Sequence, residues 1–257
     1  MTAPTSNRIL ALMVRERLTR YAGGKLGPAW AILTPVAWIA FVVILFRALD
    51  RTPPIFVGPE IFVATGVLPY VAFRQAITSM TRAYPAHRYM RYVRPVSIND
   101  IFLATIALEA MNFVISALVI FGIITLIFDA PPPTSPPMVA LGFVFAWCLA
   151  SGLGRCVAVL GVLSDSIARL VPIILRPLFW ISGIFYTATE LPTAVQNVIW
   201  YSPLLHVTEV IREGYFASYS SPIANIWVPL AFAAAFYLLS IPFEQLVLRR
   251  HELRFKL

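Results

Sequence analysis

The chain has 257 residues, 59% of them hydrophobic and 12% charged, with a mean hydropathy of +0.79. A soluble domain holds roughly 45–50% apolar and ~25% charged residues, so soluble globular, disordered and fibrous classes are excluded and a multi-span membrane protein remains. Lys and Arg number 20 against 12 Asp and Glu, and in so apolar a chain this excess speaks of orientation in a lipid bilayer, with no nucleic acid expected as partner.

The N-terminal stretch does not read as a cleavable signal, because Arg8, Arg15, Glu16, Arg17 and Arg20 interrupt any apolar core. Leu10, Val14, Leu18 and Tyr21 recur at helical spacing, which predicts an amphipathic helix lying at the membrane interface within residues 1–27. Gly23, Gly24 and Gly27 end it, and Pro28 suits the first turn of the next helix. Six apolar runs follow, at 29–49, 61–83, 101–128, 138–163, 170–186 and 226–248, each near the ~20 residues that cross a hydrocarbon core. The fifth carries Pro172 and Pro177, and Pro69, Pro229 and Pro242 also sit inside runs; membrane helices tolerate such prolines. Cys148 and Cys156 share the fourth run, about 12 Å apart along a helix axis and too far for a disulfide.

Counting across six spans, all the basic residues but Arg47, Arg51 and Arg212 fall on one side. The positive-inside rule places both termini in the cytoplasm. The fold expected is an all-α polytopic membrane protein forming a single domain over 1–257. It comprises the interface helix (1–27), spans one to five (28–187), outer helices (188–225) and span six with a basic tail (226–257). The stretch 187–225 holds two short helix candidates, which form either a re-entrant hairpin buried against protein or a pair lying flat at the interface.

Gly24-Lys25 is followed by Leu26, so there is no phosphate-cradling P-loop, and H-E-x-x-H, C-x-x-C and G-x-S-x-G are absent. No catalytic residue is therefore assigned. His206, Glu209 and Glu213 share a helix face. They suit either a metal or an exposed polar surface with an ordinary Glu209–Arg212 pair, and the second is expected because no fourth ligand is evident. Arg74, Arg155 and Arg176 lie inside spans at similar depth. A central arginine costs ~2.5–3.5 kcal/mol on insertion scales, so these residues read either as a vestibule for an anionic head group or as side chains that snorkel to the surface. Snorkelling suits Arg176 best, and Glu109 is a candidate partner inside the membrane. Aromatics such as Phe179, Trp180, Phe185 and Tyr186 read either as interface anchors or as flat faces on which sugar rings slide. The connection 84–95, with Tyr84, His87, Arg88, Arg91 and Arg94, is basic, aromatic and bounded by prolines. It suits docking of a soluble partner or contact with anionic lipid, and Asn99 or Asp100 is positioned to cap the helix that follows.

Several stretches together resemble one family. These are RERLTRY at 15–21, KLGPAWAILTP at 25–35, RPVSINDI at 94–101 with Leu108-Glu109, LVPIILRPLFWISG at 170–183 and YSPLLHVTEVIRE at 201–213, where Ser202 stands in place of the usual Asn. The set is similar to the ABC-2 permeases that export polysaccharides, in their capsular branch. The resemblance implies a homodimer in the bacterial inner membrane, paired with two separate ATPase subunits that bind ATP and Mg, so that this chain needs no cofactor and is not itself an enzyme. Its cargo would be a lipid-linked capsular polysaccharide, passed on to periplasmic adaptor and outer-membrane export proteins. By the same resemblance, Tyr84, His87, Arg88, Arg91 and Arg94 would couple to the ATPase. It would also make the segment holding His206, Glu209, Arg212 and Glu213 a periplasmic gate, while Arg74, Arg155, Arg176, Phe179, Trp180, Phe185 and Tyr186, read above from their place in the spans, are the candidate channel lining. The alternatives are an O-antigen or teichoic-acid permease of the same superfamily and, from another class, a membrane transferase acting on lipid-linked sugars. The scattered outer acids argue against the transferase, and the intramembrane arginines argue against a passive scaffold.

Overall fold

The computed structural model describes residues 5–21, 29–55, 57–87 and 97–254. Among these residues every regular element is helical: α1 (Thr5–Tyr21), α2 (Trp30–Ala48), α3 (Pro59–His87), α4 (Ile98–Phe128), α5 (Pro136–Leu163), α6 (Asp165–Ile181), a 3-10 turn (Ala188–Glu190), α7 (Thr193–Ile199), α8 (Pro203–Tyr215) and α9 (Trp227–Arg254). Of the candidate coupling segment, Tyr84 and His87 fall on the last turn of α3, while Arg88, Arg91 and Arg94 lie outside the described residues.

Local chemistry sets the helix ends. Ser97 caps α4 by accepting from the Asp100 amide at 3.0 Å, and Asp100 returns the contact to the Ser97 amide at 3.1 Å. Asp100 is thus the reciprocal partner in a capping box, and Ser97, rather than Asn99 or Asp100, is the cap. Arg8 lies 3.6 Å from Asp100, tying α1 to the start of α4. Leu12 is buried, while Leu10, Val14 and Leu18 face outward. The apolar stripe read from the sequence is therefore turned away from the bundle, as a helix resting on a membrane surface requires.

Five helices among the described residues, α2, α3, α4, α5 and α9, are long and apolar enough to cross a membrane. The run at 170–186 behaves differently. Its helix, α6, starts at Asp165, spans 17 residues or about 25 Å, and is amphipathic. The chain then turns at Gly183, whose φ of +77° suits a residue without Cβ.

α3 and α5 form the middle of the bundle. α4 and α2 pack on α3, α9 and α8 on α5, and α6 against both. Leu118 and Leu126 on α4, Phe41 and Ile44 on α2 and Leu238 on α9 leave a broad outer apolar surface, as lipid contact demands. Glycines let α5 sit close to its neighbours. A Cβ on Gly152 would press on the carbonyl oxygen of Ala233 in α9, a fixed backbone atom, whereas one on Gly154 would meet the Met80 sulfur at 2.7 Å. A thioether tip can move and a helix backbone cannot. Gly152→Ala is therefore expected to lower stability by about 1–3 kcal/mol, visible as an earlier thermal transition in detergent, and Gly154→Ala by clearly less. Equal melting of the two variants would refute this reading of the α5–α9 contact.

Candidate functional site: an arginine pocket and an aromatic lane

Along α3, Arg74, Thr78 and Arg82 recur every four residues and so share one face. α1 and α6 close over that face and leave a pocket of about 600 Å³. Arg74, Thr78, Ser79 and Arg82 come from α3, Arg15, Glu16 and Thr19 from α1, and Pro172 and Arg176 from α6. Four guanidiniums against one carboxylate, with three hydroxyls among them, make a cavity whose chemistry suits an anion. Arg74 also lies 5.7 Å from the Trp38 ring, a cation–π contact.

Trp38 begins a series of rings. Its centroid is 4.8 Å from Phe179, which sits edge-on to Tyr70 at 5.1 Å and to Phe185 at 5.3 Å. Phe185 stacks on Trp180 at 4.8 Å and on Phe46 at 6.5 Å. The series ends where Arg51 covers the Phe46 ring at 5.4 Å and reaches Glu190 at 3.8 Å. Arginine therefore marks both ends of a lane that follows α2 and α6 along the bundle. Within it Phe179 and Phe185 are buried, while Trp180 is 59% exposed and presents the open face. Tyr186 donates its hydroxyl to the Ile181 carbonyl at 3.0 Å.

Arg155 does not line this pocket. It is buried on α5, paired with Glu244 of α9 and placed 4.8 Å from the Tyr237 ring. Glu109 lines a separate cavity between α2, α3 and α4.

At the opposite end of the bundle from the arginine pocket, α8 is packed so tightly on α5 that a Cβ on Gly142 would overlap the Ile211 side chain. This burial overturns the expectation of an exposed polar face, because His206, Glu209 and Arg212 are each 0% exposed. Their polar atoms reach partners across the chain, while His206 Nδ1, Glu209 Oε1 and Arg212 Nε have no hydrogen-bond partner among the described residues. Arg212 Nη1 donates to the Tyr186 carbonyl at 2.6 Å, Nη2 to Ile184 at 3.4 Å, and the guanidinium lies 4.0 Å from the Phe62 ring. Glu209 lies 3.6 Å from Arg212 and accepts from Ser221 at 2.6 Å and from Tyr219. Burial and the neighbouring Glu209 carboxylate push the Tyr219 phenol up, so it stays protonated and donating. His206 Nε2 meets the Trp200 carbonyl at 2.7 Å, and Glu213 stays at the edge, 3.4 Å from the Ser220 hydroxyl. Among the described residues no three metal-ligating side chains come together.

A family model of the ABC-2 type transporter matches residues 7–216. The chain belongs to that family. The match takes in the arginine pocket, the lane and the buried Glu209–Arg212 pair, and leaves α9 outside. This ABC-2 chain is 28% identical over 212 residues to the polysialic acid transport protein KpsM of Escherichia coli, covering 82% of each chain. It is 27% identical over 210 residues to the capsule polysaccharide export inner-membrane protein BexB of Haemophilus influenzae, covering 81% of this chain and 78% of the relative. It is 24% identical over 217 residues to the capsule polysaccharide export inner-membrane protein CtrC of Neisseria meningitidis serogroup B, covering 84% and 82%.

Sequence reasoning missed Arg82, although the four-residue steps Arg74, Thr78 and Arg82 along one helix were available as a signal, and it missed the contribution of α1, which spacing along α3 does not reveal. It also missed Trp38, Tyr70 and Phe46 in the lane, where helix contacts rather than spacing decide which rings meet.

Proposed function

We propose that this ABC-2 chain is the membrane subunit of an ATP-driven exporter that moves a lipid-linked capsular polysaccharide across the bacterial inner membrane. The observation that carries the reading is the arginine pocket, joined through Arg74 beside Trp38 to an aromatic lane within an apolar bundle. An anionic head group is held by guanidiniums at the loading end, and the polymer's sugar rings slide over ring faces such as that of Trp180. The names of the relatives, transport of polysialic acid and export of capsule polysaccharide, support this cargo class.

Six crossings complete the topology, with α6 as a short fifth span and the α7–α8 hairpin re-entering from the periplasm. The asymmetry of basic residues then puts both termini and the arginine pocket on the cytoplasmic side. Two copies of the chain pair with two ATPase subunits, which hold ATP and Mg and dock on the 84–94 connection. Periplasmic adaptor and outer-membrane proteins receive the polymer beyond the outer gate, to which His206, Glu209, Arg212 and Glu213 belong.

The test is purification from mild detergent followed by ATP turnover with and without a lipid-linked anionic glycan. A stable complex with an ATPase whose turnover responds to the glycan is the expected result. A chain that purifies alone would overturn the proposal.

A further inference from the structure

A second cavity, of about 270 Å³, lies between α2, α3 and α4. Its lining includes Glu109, Asn112 and Ser116 from α4, Gln75 from α3 and Thr34 and Trp30 from α2. Glu109 and Ser116 are only 6% and 3% exposed. Glu109 stands eleven residues into α4, about 16 Å from its start, so the cavity is inside the membrane rather than at its surface. Hydrocarbon is a poor occupant here. An acyl chain would lie against a carboxylate, two amides and the Thr34 hydroxyl and return no hydrogen bond, while the Ser116 hydroxyl already donates to the Ala31 and Asn112 carbonyls. An aromatic wall beside a carboxylate, amides and hydroxyls is the donor and acceptor mixture that a hydroxylated ring requires. Gln75 lines both this cavity and the arginine pocket, so the two are neighbours along α3.

We infer that this cavity is a subsite for the hydroxyl-rich sugar ring attached to the lipid phosphate. The phosphate itself sits among Arg74 and Arg176 on the other side of Gln75. The inference rests on the head-group reading of the arginine pocket and adds to it a preference for what the phosphate carries. Thr34 and Asn112 are the positions that read the ring, one from each flanking helix.

The test is titration of the full-length chain in detergent with three phosphodiester lipids of equal charge, followed by native mass spectrometry. Phosphatidylinositol carries a hydroxylated six-membered ring, phosphatidylglycerol two hydroxyls and phosphatidylmethanol none. Wild type is expected to bind phosphatidylinositol roughly tenfold more tightly than the other two, equivalent to ~1.4 kcal/mol. Thr34→Val and Asn112→Leu should each erode that preference and leave phosphatidylmethanol binding unchanged, and Arg74→Gln should weaken all three alike. The two variants sit on different helices, so a folding defect in one leaves the other as the test. Equal binding of phosphatidylinositol and phosphatidylmethanol, with Arg74 still required, overturns the subsite and leaves the arginine pocket standing. Phosphatidylglycerol binding as tightly as phosphatidylinositol overturns it in favour of ordinary membrane lipid. Binding of none of the three removes the head-group site and this subsite together.

Discussion

Arg212→Met is expected to empty the membrane fraction of this protein, or to leave a residue that unfolds far below the wild-type temperature. The side chain is fully buried and joins three segments: Glu209 on its own helix, the Ile184 and Tyr186 carbonyls, and the Phe62 face on α3. Methionine fills much of the volume but strands the Glu209 charge in a site without water and leaves two carbonyls unpaired. Removing one partner of a buried ion pair costs about 3–5 kcal/mol, a large share of the ~5–15 kcal/mol that a fold typically has. Arg212→Lys keeps the charge but loses the planar fork that spans two carbonyls, so it should fall between methionine and wild type. Removing both charges, as in Glu209→Leu with Arg212→Met, should cost less than the sum of the single changes, because no charge is then left alone. Membrane yield and thermal unfolding in detergent read the wild type and the four variants, Glu209→Leu alone among them. Wild-type stability of Arg212→Met would show that the carbonyl and ion contacts do not hold α8 to the 184–186 turn and to α3.

This pair also shows where the sequence stops being informative. Glu209 and Arg212 stand three residues apart, and that spacing describes a solvent-exposed helix pair as well as a buried one. What decides is the glycines on either side of the contact. Gly142 on α5 lets Ile211 approach, and Gly214 lies against the backbone of Met138 and Val139, so that α8 sinks into the bundle. Neither contact has a signature in local sequence. The long spans were legible because hydropathy over some twenty residues is a strong local signal, and α2, α3, α4, α5 and α9 fall on the runs read for them. The fifth run was harder. Its apolar residues continue past Ile181, but Gly183 turns the chain, so the run outlasts the helix. The three intramembrane arginines show the same limit. Equal depth along three helices says nothing about direction around each axis, and α5 turns Arg155 towards Glu244 while α3 and α6 turn Arg74 and Arg176 into one pocket. Glu244 lies far along the chain, near the end of α9, and nothing local links it to Arg155.

That separation makes charge reversal at Arg74 and at Arg155 two different experiments. Arg74→Glu turns a pocket of four guanidiniums and one carboxylate into three against two. An attractive contact with an anionic head group becomes a repulsive one, and at an effective dielectric near 20 a unit charge at 4 Å is worth about 4 kcal/mol. Export should therefore fall by about two orders of magnitude or more, while the protein remains in the membrane and keeps any ATPase bound to it. The pocket has water-accessible walls and tolerates the new carboxylate, which has Arg15, Arg82 and Arg176 nearby. Arg155→Glu instead sets two carboxylates face to face in a buried site on α5 and α9, and protein should be lost from the membrane before export can be judged. Adding Glu244→Arg to Arg155→Glu restores opposite charges across the same contact and should recover protein level, a rescue that has no counterpart at Arg74. Measuring surface polysaccharide and membrane-bound chain in parallel separates the two. Normal export from Arg74→Glu would sink the head-group role of the pocket. Full protein levels from Arg155→Glu would show that the α5–α9 ion pair is not needed to hold those helices together.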